Sequence, residues 1–158
     1  MPSRSRSALT SILLGGFIAG TVDLGAAAVI SSLNPIVIMR FVAVGLLGRR
    51  SLEMGTTSAV LGLVLQWAMS ILIAAIFVLA GREVDGIRRR WIAAGLAYGV
   101  VIFFVMNYVV VPFSAVGRRP HFTTLSFVEN MLAMLLFGLI IAFFARAPAE
   151  SVRFASAK

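Results

Sequence analysis

The chain has 158 residues, 60% of them hydrophobic and 13% charged, with a mean hydropathy of +1.01. Soluble domains are about half apolar and about a quarter charged, so this composition excludes an ordinary water-soluble enzyme and reads as an integral membrane protein. The formal charge of +8 rests on 14 Lys and Arg against 6 Asp and Glu. Because these cations flank apolar stretches, they orient the protein and meet anionic headgroups rather than nucleic acid. The absence of cysteine removes disulfides, thiolate metal sites and thiol catalysis.

The first apolar stretch covers residues 8–30 and follows Arg4 and Arg6. A signal peptide shares that outline, with Ala26, Ala27 and Ala28 as the small-residue patch. The stretch, however, is longer than the ~7–15 residues of a signal core and contains Asp23, so a retained spanning helix is expected. Ser31, Ser32, Asn34 and Pro35 then break it, and proline suits the start of a new helix. Residues 35–48 are apolar except for Arg40. As a helix they rise only about 21 Å, short of a hydrocarbon core of about 30 Å. This predicts a re-entrant or interfacial helix. The alternative is a fifth span starting near residue 24, which would place Asn34 and Pro35 inside lipid and the termini on opposite sides.

Three further spans are expected at residues 56–80, 91–111 and 125–145, with the tail 147–158 disordered. The whole is read as one all-α domain, an integral membrane four-helix bundle with a short helix between its first and second spans. The loop 81–90, with Arg82, Glu83, Asp85, Arg88, Arg89 and Arg90, is a solvated turn with a basic rim. Arg4, Arg6, Arg82, Arg88, Arg89, Arg90, Arg146, Arg153 and Lys158 share one side, whereas Arg40, Arg49, Arg50, Arg118 and Arg119 share the other. Enrichment of Lys and Arg in short cytoplasmic loops then puts both termini in the cytoplasm.

Ionisable groups at membrane depth are costly and usually face protein or water, so they are where a site is sought. At about 100° per residue, Gly16, Ala19, Gly20, Ala26 and Ala27 fall within about 60° of Asp23. This acid therefore lies on a small-residue face that another helix can approach closely. Gln66 shares a stripe with Ala59, Gly62 and Ser70, which makes the first two spans packing partners. Counting rise along the helices puts Asp23, Asn107 and Glu129 at a similar level in the outer half. Arg40 is the cation able to reach them, giving a candidate intramembrane cluster of Asp23, Arg40, Asn107 and Glu129. An ion pair pinning the short segment to the bundle is one reading, a proton, ion or solute site another, and Arg40 and Glu129 reaching headgroups a third.

Gly16 and Gly20, and Gly95 and Gly99, have the GxxxG spacing and are expected to serve internal packing, as is Gly62. His121 stands beside Pro120 in a basic loop and reads as a surface residue, while Trp67, Trp91, Tyr98 and Tyr108 suit packing or interfacial anchoring. No Ser/His/Asp set, HExxH motif, phosphate loop or lipobox is present. No cofactor or metal is therefore expected.

The segments AGTVDLGAA (19–27), RFVAVGLLG (40–48), LGLVLQW (61–67) and YGVVIFFVMNYVVVPFSA (98–115) resemble a family of uncharacterised bacterial inner-membrane proteins with four spans. The resemblance covers most of the chain and implies location and architecture without an assigned chemistry. Relatives often carry histidine where this chain has Gln66 and Ala133, and proline at Ile140, which weakens any role that paired histidines would imply. The leading functional expectation is a non-enzymatic interaction or assembly component whose partners are the lipid bilayer, a second copy or another membrane protein. The alternatives are a small oligomeric transporter or channel subunit using Asp23, Asn107 and Glu129, and last a membrane enzyme acting on lipid or quinone.

Overall fold

The computed structural model describes residues 2–117 and 122–146, and these are helical almost throughout, with no strand among them. The order is α1 (Pro2–Ser31), α2 (Pro35–Leu47), a 3-10 turn (Gly48–Glu53), α3 (Thr56–Glu83), α4 (Asp85–Arg89), α5 (Trp91–Val105), a π turn (Met106–Val110), α6 (Val111–Phe113) and α7 (Thr124–Ala145). Four helical stretches are long and apolar enough to cross a membrane: Ala8–Ser31, Thr56–Glu83, Trp91–Phe113 and Thr124–Ala145. The protein is a multi-pass membrane protein, an all-α four-helix bundle with a short helix between the first two spans. Arg118, Arg119, His121 and the tail 147–158 lie outside the described residues.

Helix α1 packs between α3 and α7, α5 packs on α7, and α2 lies on α3. The core is built from Ala19, Ile73, Ala74, Phe77, Ile102, Phe137, Ile141 and Ala142. Long apolar side chains also point away from it, among them Phe17, Leu72, Ile76, Val101, Leu132 and Leu136. A soluble protein would rarely expose so continuous an apolar surface. Such a surface suits a bundle whose helices are long and apolar enough to cross a membrane. The third span meets α3 through Tyr98, whose hydroxyl donates to the Ile73 carbonyl at 2.7 Å and whose ring stands 4.9 Å from Phe77. At the end of α7, the Arg146 guanidinium lies 4.5 Å from the Trp91 ring and 4.4 Å from Phe143, tying the fourth span to the start of the third.

Local chemistry accounts for the ends of α2. Asn34, in extended conformation, accepts from the Ile36 N–H at 2.9 Å, and Pro35 takes the first helical position, where a missing N–H costs nothing. The helix stops at Gly48, whose φ of 68° is left-handed and free of strain only without a Cβ. Its 13 residues give about 20 Å of rise, too little to cross. Met39 packs its carbonyl on Gly62, about 9 Å along α3 from Thr56. The segment therefore lies across one end of the bundle. Ser114 and Ala115 close the far side of α2, the Ala115 N–H donating to the Gly45 carbonyl at 2.9 Å.

The third span widens into its π turn because Pro112 has no N–H to bond the Tyr108 carbonyl. The Val111 N–H reaches back five residues to Met106 instead.

Candidate functional site

The joint between α1 and α3 carries the strongest polar constellation inside the spans. Its starting point is the pair Gly16 and Gly20, one turn apart on α1. A Cβ on Gly16 would stand 2.5 Å from the Ile71 Cα, and one on Gly20 would stand 2.5 Å from the Ser70 Oγ. The absence of both lets the two backbones approach closely, and that approach brings the next polar side chains within reach. Gln66 Nε2 donates to Asp23 Oδ2 at 2.9 Å and lies 3.5 Å from the Gly20 carbonyl. On the neighbouring face the Trp67 indole N–H donates to Thr21 Oγ1 at 3.2 Å, and Thr21 in turn donates to the Phe17 carbonyl at 2.8 Å. The Phe17 and Trp67 rings meet with centroids 4.6 Å apart. Two side-chain hydrogen bonds and two glycines thus fix the register of the first two spans.

The other members of the candidate cluster are placed elsewhere. Among the described residues, no ion pair or hydrogen bond joins Asp23 to Arg40. The Arg40 carbonyl accepts from Ser51 Oγ at 3.2 Å, while its side-chain Nε is buried without a partner. Asn107 donates to the Phe103 carbonyl one turn back in its own helix, at 2.9 Å. Glu129, partly buried on α7, makes no hydrogen bond or ion pair among the described residues. The correction has a geometric cause. Rise along a helix fixes depth but not the angle around the bundle, and α1 stands between α3 and α7. With Asp23 turned to Gln66 on α3, a similar count of rise does not by itself bring Glu129 and Asn107 to its face.

The remaining glycines serve other joints. Gly62 takes the Met39 carbonyl of α2, and Gly95 and Gly99 pack on α7 around Gly138, Leu139, Met134 and Leu135. Gly138, whose own missing Cβ admits the Gly95 carbonyl, escaped the sequence reading, although Ala142 four residues on gives it the small-xxx-small spacing. Gly15 lies against the Phe144 side chain of α7, beside Gly16, so α1 turns adjacent glycines to two partners. The bond from Trp67 to Thr21 also escaped the sequence pattern, although an indole N–H beside Gln66 and a hydroxyl two residues from Asp23 are its trace.

Chemically, the joint offers one carboxyl group, one amide and one hydroxyl. Among the described residues no three or more His, Cys, Asp or Glu gather in one place. Comparison with protein families, curated proteins and solved structures finds no match to this chain.

Proposed function

We propose that the chain is a bacterial inner-membrane protein with both termini in the cytoplasm, acting without catalysis as an interaction or assembly component. One observation carries this reading: the Asp23 carboxyl, the acid inside the first span, accepts from Gln66 of the second in a helix joint. The groups left to meet other molecules are long apolar side chains along the spans and arginines at the ends, such as Arg49, Arg50, Arg89 and Arg90. The resemblance to four-span bacterial inner-membrane proteins supports the location.

A small oligomeric transporter or channel subunit is the second reading. It is favoured by the Asp23 carboxyl, an ionisable group inside the first span that meets no cation among the described residues. The two readings separate on reconstitution. The first expects a defined stoichiometric complex on extraction into native nanodiscs and no solute or proton flux above that of empty vesicles. Flux that Asp23→Asn abolishes would overturn it in favour of the second.

A further inference from the structure

We propose that Arg146 and Trp91, at a crevice between the ends of the second, third and fourth spans, hold the headgroup of an anionic phospholipid. The inference stands on that crevice and does not depend on the interaction reading above.

Three spans end together here. Helix α3 stops at Glu83, α5 starts at Trp91 and α7 stops at Ala145, so apolar helix gives way to polar chain at one level. That level is the depth of the headgroups. Phe77 and Val78 of α3, Ile87 of α4, Trp91 of α5, Ala142 of α7 and Arg146 just beyond it line about 230 Å3 of empty space, partly open to the outside.

Two donors at this crevice lack acceptors in the protein. The Arg146 guanidinium stands 4.5 Å from the Trp91 ring and 4.4 Å from Phe143, yet it forms no ion pair or hydrogen bond among the described residues. Ring contact balances part of its charge but offers no lone pair to its N–H groups. The Trp91 indole N–H likewise makes no hydrogen bond among the described residues, and Trp91 is only partly buried. Both donors are therefore accessible, and direct contact holds them side by side.

Charge selects the occupant. Arg89 and Arg90 stand exposed just before Trp91, and Glu83, an acid at the same end, is exposed and pairs with no cation among the described residues. A phosphate meets a guanidinium through paired charged hydrogen bonds and has further oxygens for the indole. The apolar wall selects the source. Phe77, Val78 and Ile87 offer nothing to a free ion, whereas the first methylenes of an acyl chain gain by lying against them.

The test uses the full chain, purified in a phosphate-free maltoside, with retained phospholipid counted by native mass spectrometry. Lipid-stripped protein is then titrated with short-chain phosphatidylglycerol or with inorganic phosphate, reading the unfolding temperature. Wild type should retain phospholipid and gain stability from phosphatidylglycerol. Arg146→Gln should weaken that binding about ten-fold or more, the size expected for loss of a charged hydrogen-bond donor.

Trp91→Phe keeps an aromatic ring beside Arg146 and removes the indole N–H. It should fold without lipid as wild type does, yet bind phosphatidylglycerol about two- to ten-fold more weakly, and it carries the test if Arg146→Gln fails to fold. Arg49→Gln/Arg50→Gln, at the opposite end of the bundle, should match wild type. Wild-type affinity in folded Arg146→Gln or in Trp91→Phe overturns the site, as does an equal loss in Arg49→Gln/Arg50→Gln, the mark of diffuse charge. Inorganic phosphate protecting as well as phosphatidylglycerol overturns the lipid as the occupant.

Discussion

Gln66 Nε2 and Asp23 Oδ2 lie 2.9 Å apart across the joint of α1 and α3, a distance allowed only because Gly20, one turn before Asp23, presents no Cβ to Ser70. Interhelical hydrogen bonds in membranes contribute about 1 kcal/mol, and less where the separated helices find other partners. Asp23→Leu and Gln66→Leu should each destabilise the purified protein, with a coupling of about 1 kcal/mol in a double-mutant cycle read by thermal unfolding in detergent. Asp23→Leu and Arg40→Leu should simply add. Coupling in the second cycle and none in the first would refute the assignment.

The glycines rank by what a side chain would meet. A Cβ on Gly62 would overlap the Met39 carbonyl, whereas one on Gly25 meets nothing within 4 Å. Gly62→Ala should therefore cost about 1–3 kcal/mol, the range for overpacking, and displace α2 from the bundle end. Gly25→Ala should be neutral or slightly stabilising, since alanine is the better helix former. Equal unfolding temperatures for the two variants would contradict the packing described.

Tyr98→Phe keeps the ring against Phe77 and removes only the hydroxyl that bonds the Ile73 carbonyl. The expected loss is about 1 kcal/mol, as for one net hydrogen bond. Tyr98→Ala should cost more by removing the ring as well. The comparison, made by unfolding in one detergent, separates the polar from the packing share of the contact between the second and third spans.

Orientation is tested with reporter fusions. Fusions after Arg90 and after Lys158 should both read as cytoplasmic, and one after Arg119 as periplasmic. Opposite readings at Arg90 and Lys158 would require an odd number of crossings between them and would contradict the two spans Trp91–Phe113 and Thr124–Ala145.

Length and polarity along the chain sufficed for the spans and for the short helix, because a bilayer imposes one dimension on every crossing segment and residues 35–48 fall short of it. The break at Asn34 and Pro35 was equally legible, since an N-cap and a proline act within a few residues. Helical spacing also placed Asp23, Gly16 and Gly20 on one face, a property of a single helix. What it left open is which helix that face meets. The partner of Asp23 is Gln66 rather than Arg40, and among the described residues neither Glu129 nor Asn107 bonds to it, because its side of α1 meets α3. The angular order of helices around a bundle follows from all the packing faces at once, so only the tertiary structure decides it. The same holds for the unpaired Arg40 Nε and Ser58 Oγ. Each is an ordinary polar atom in its own segment, and only the packed bundle leaves it buried without a partner.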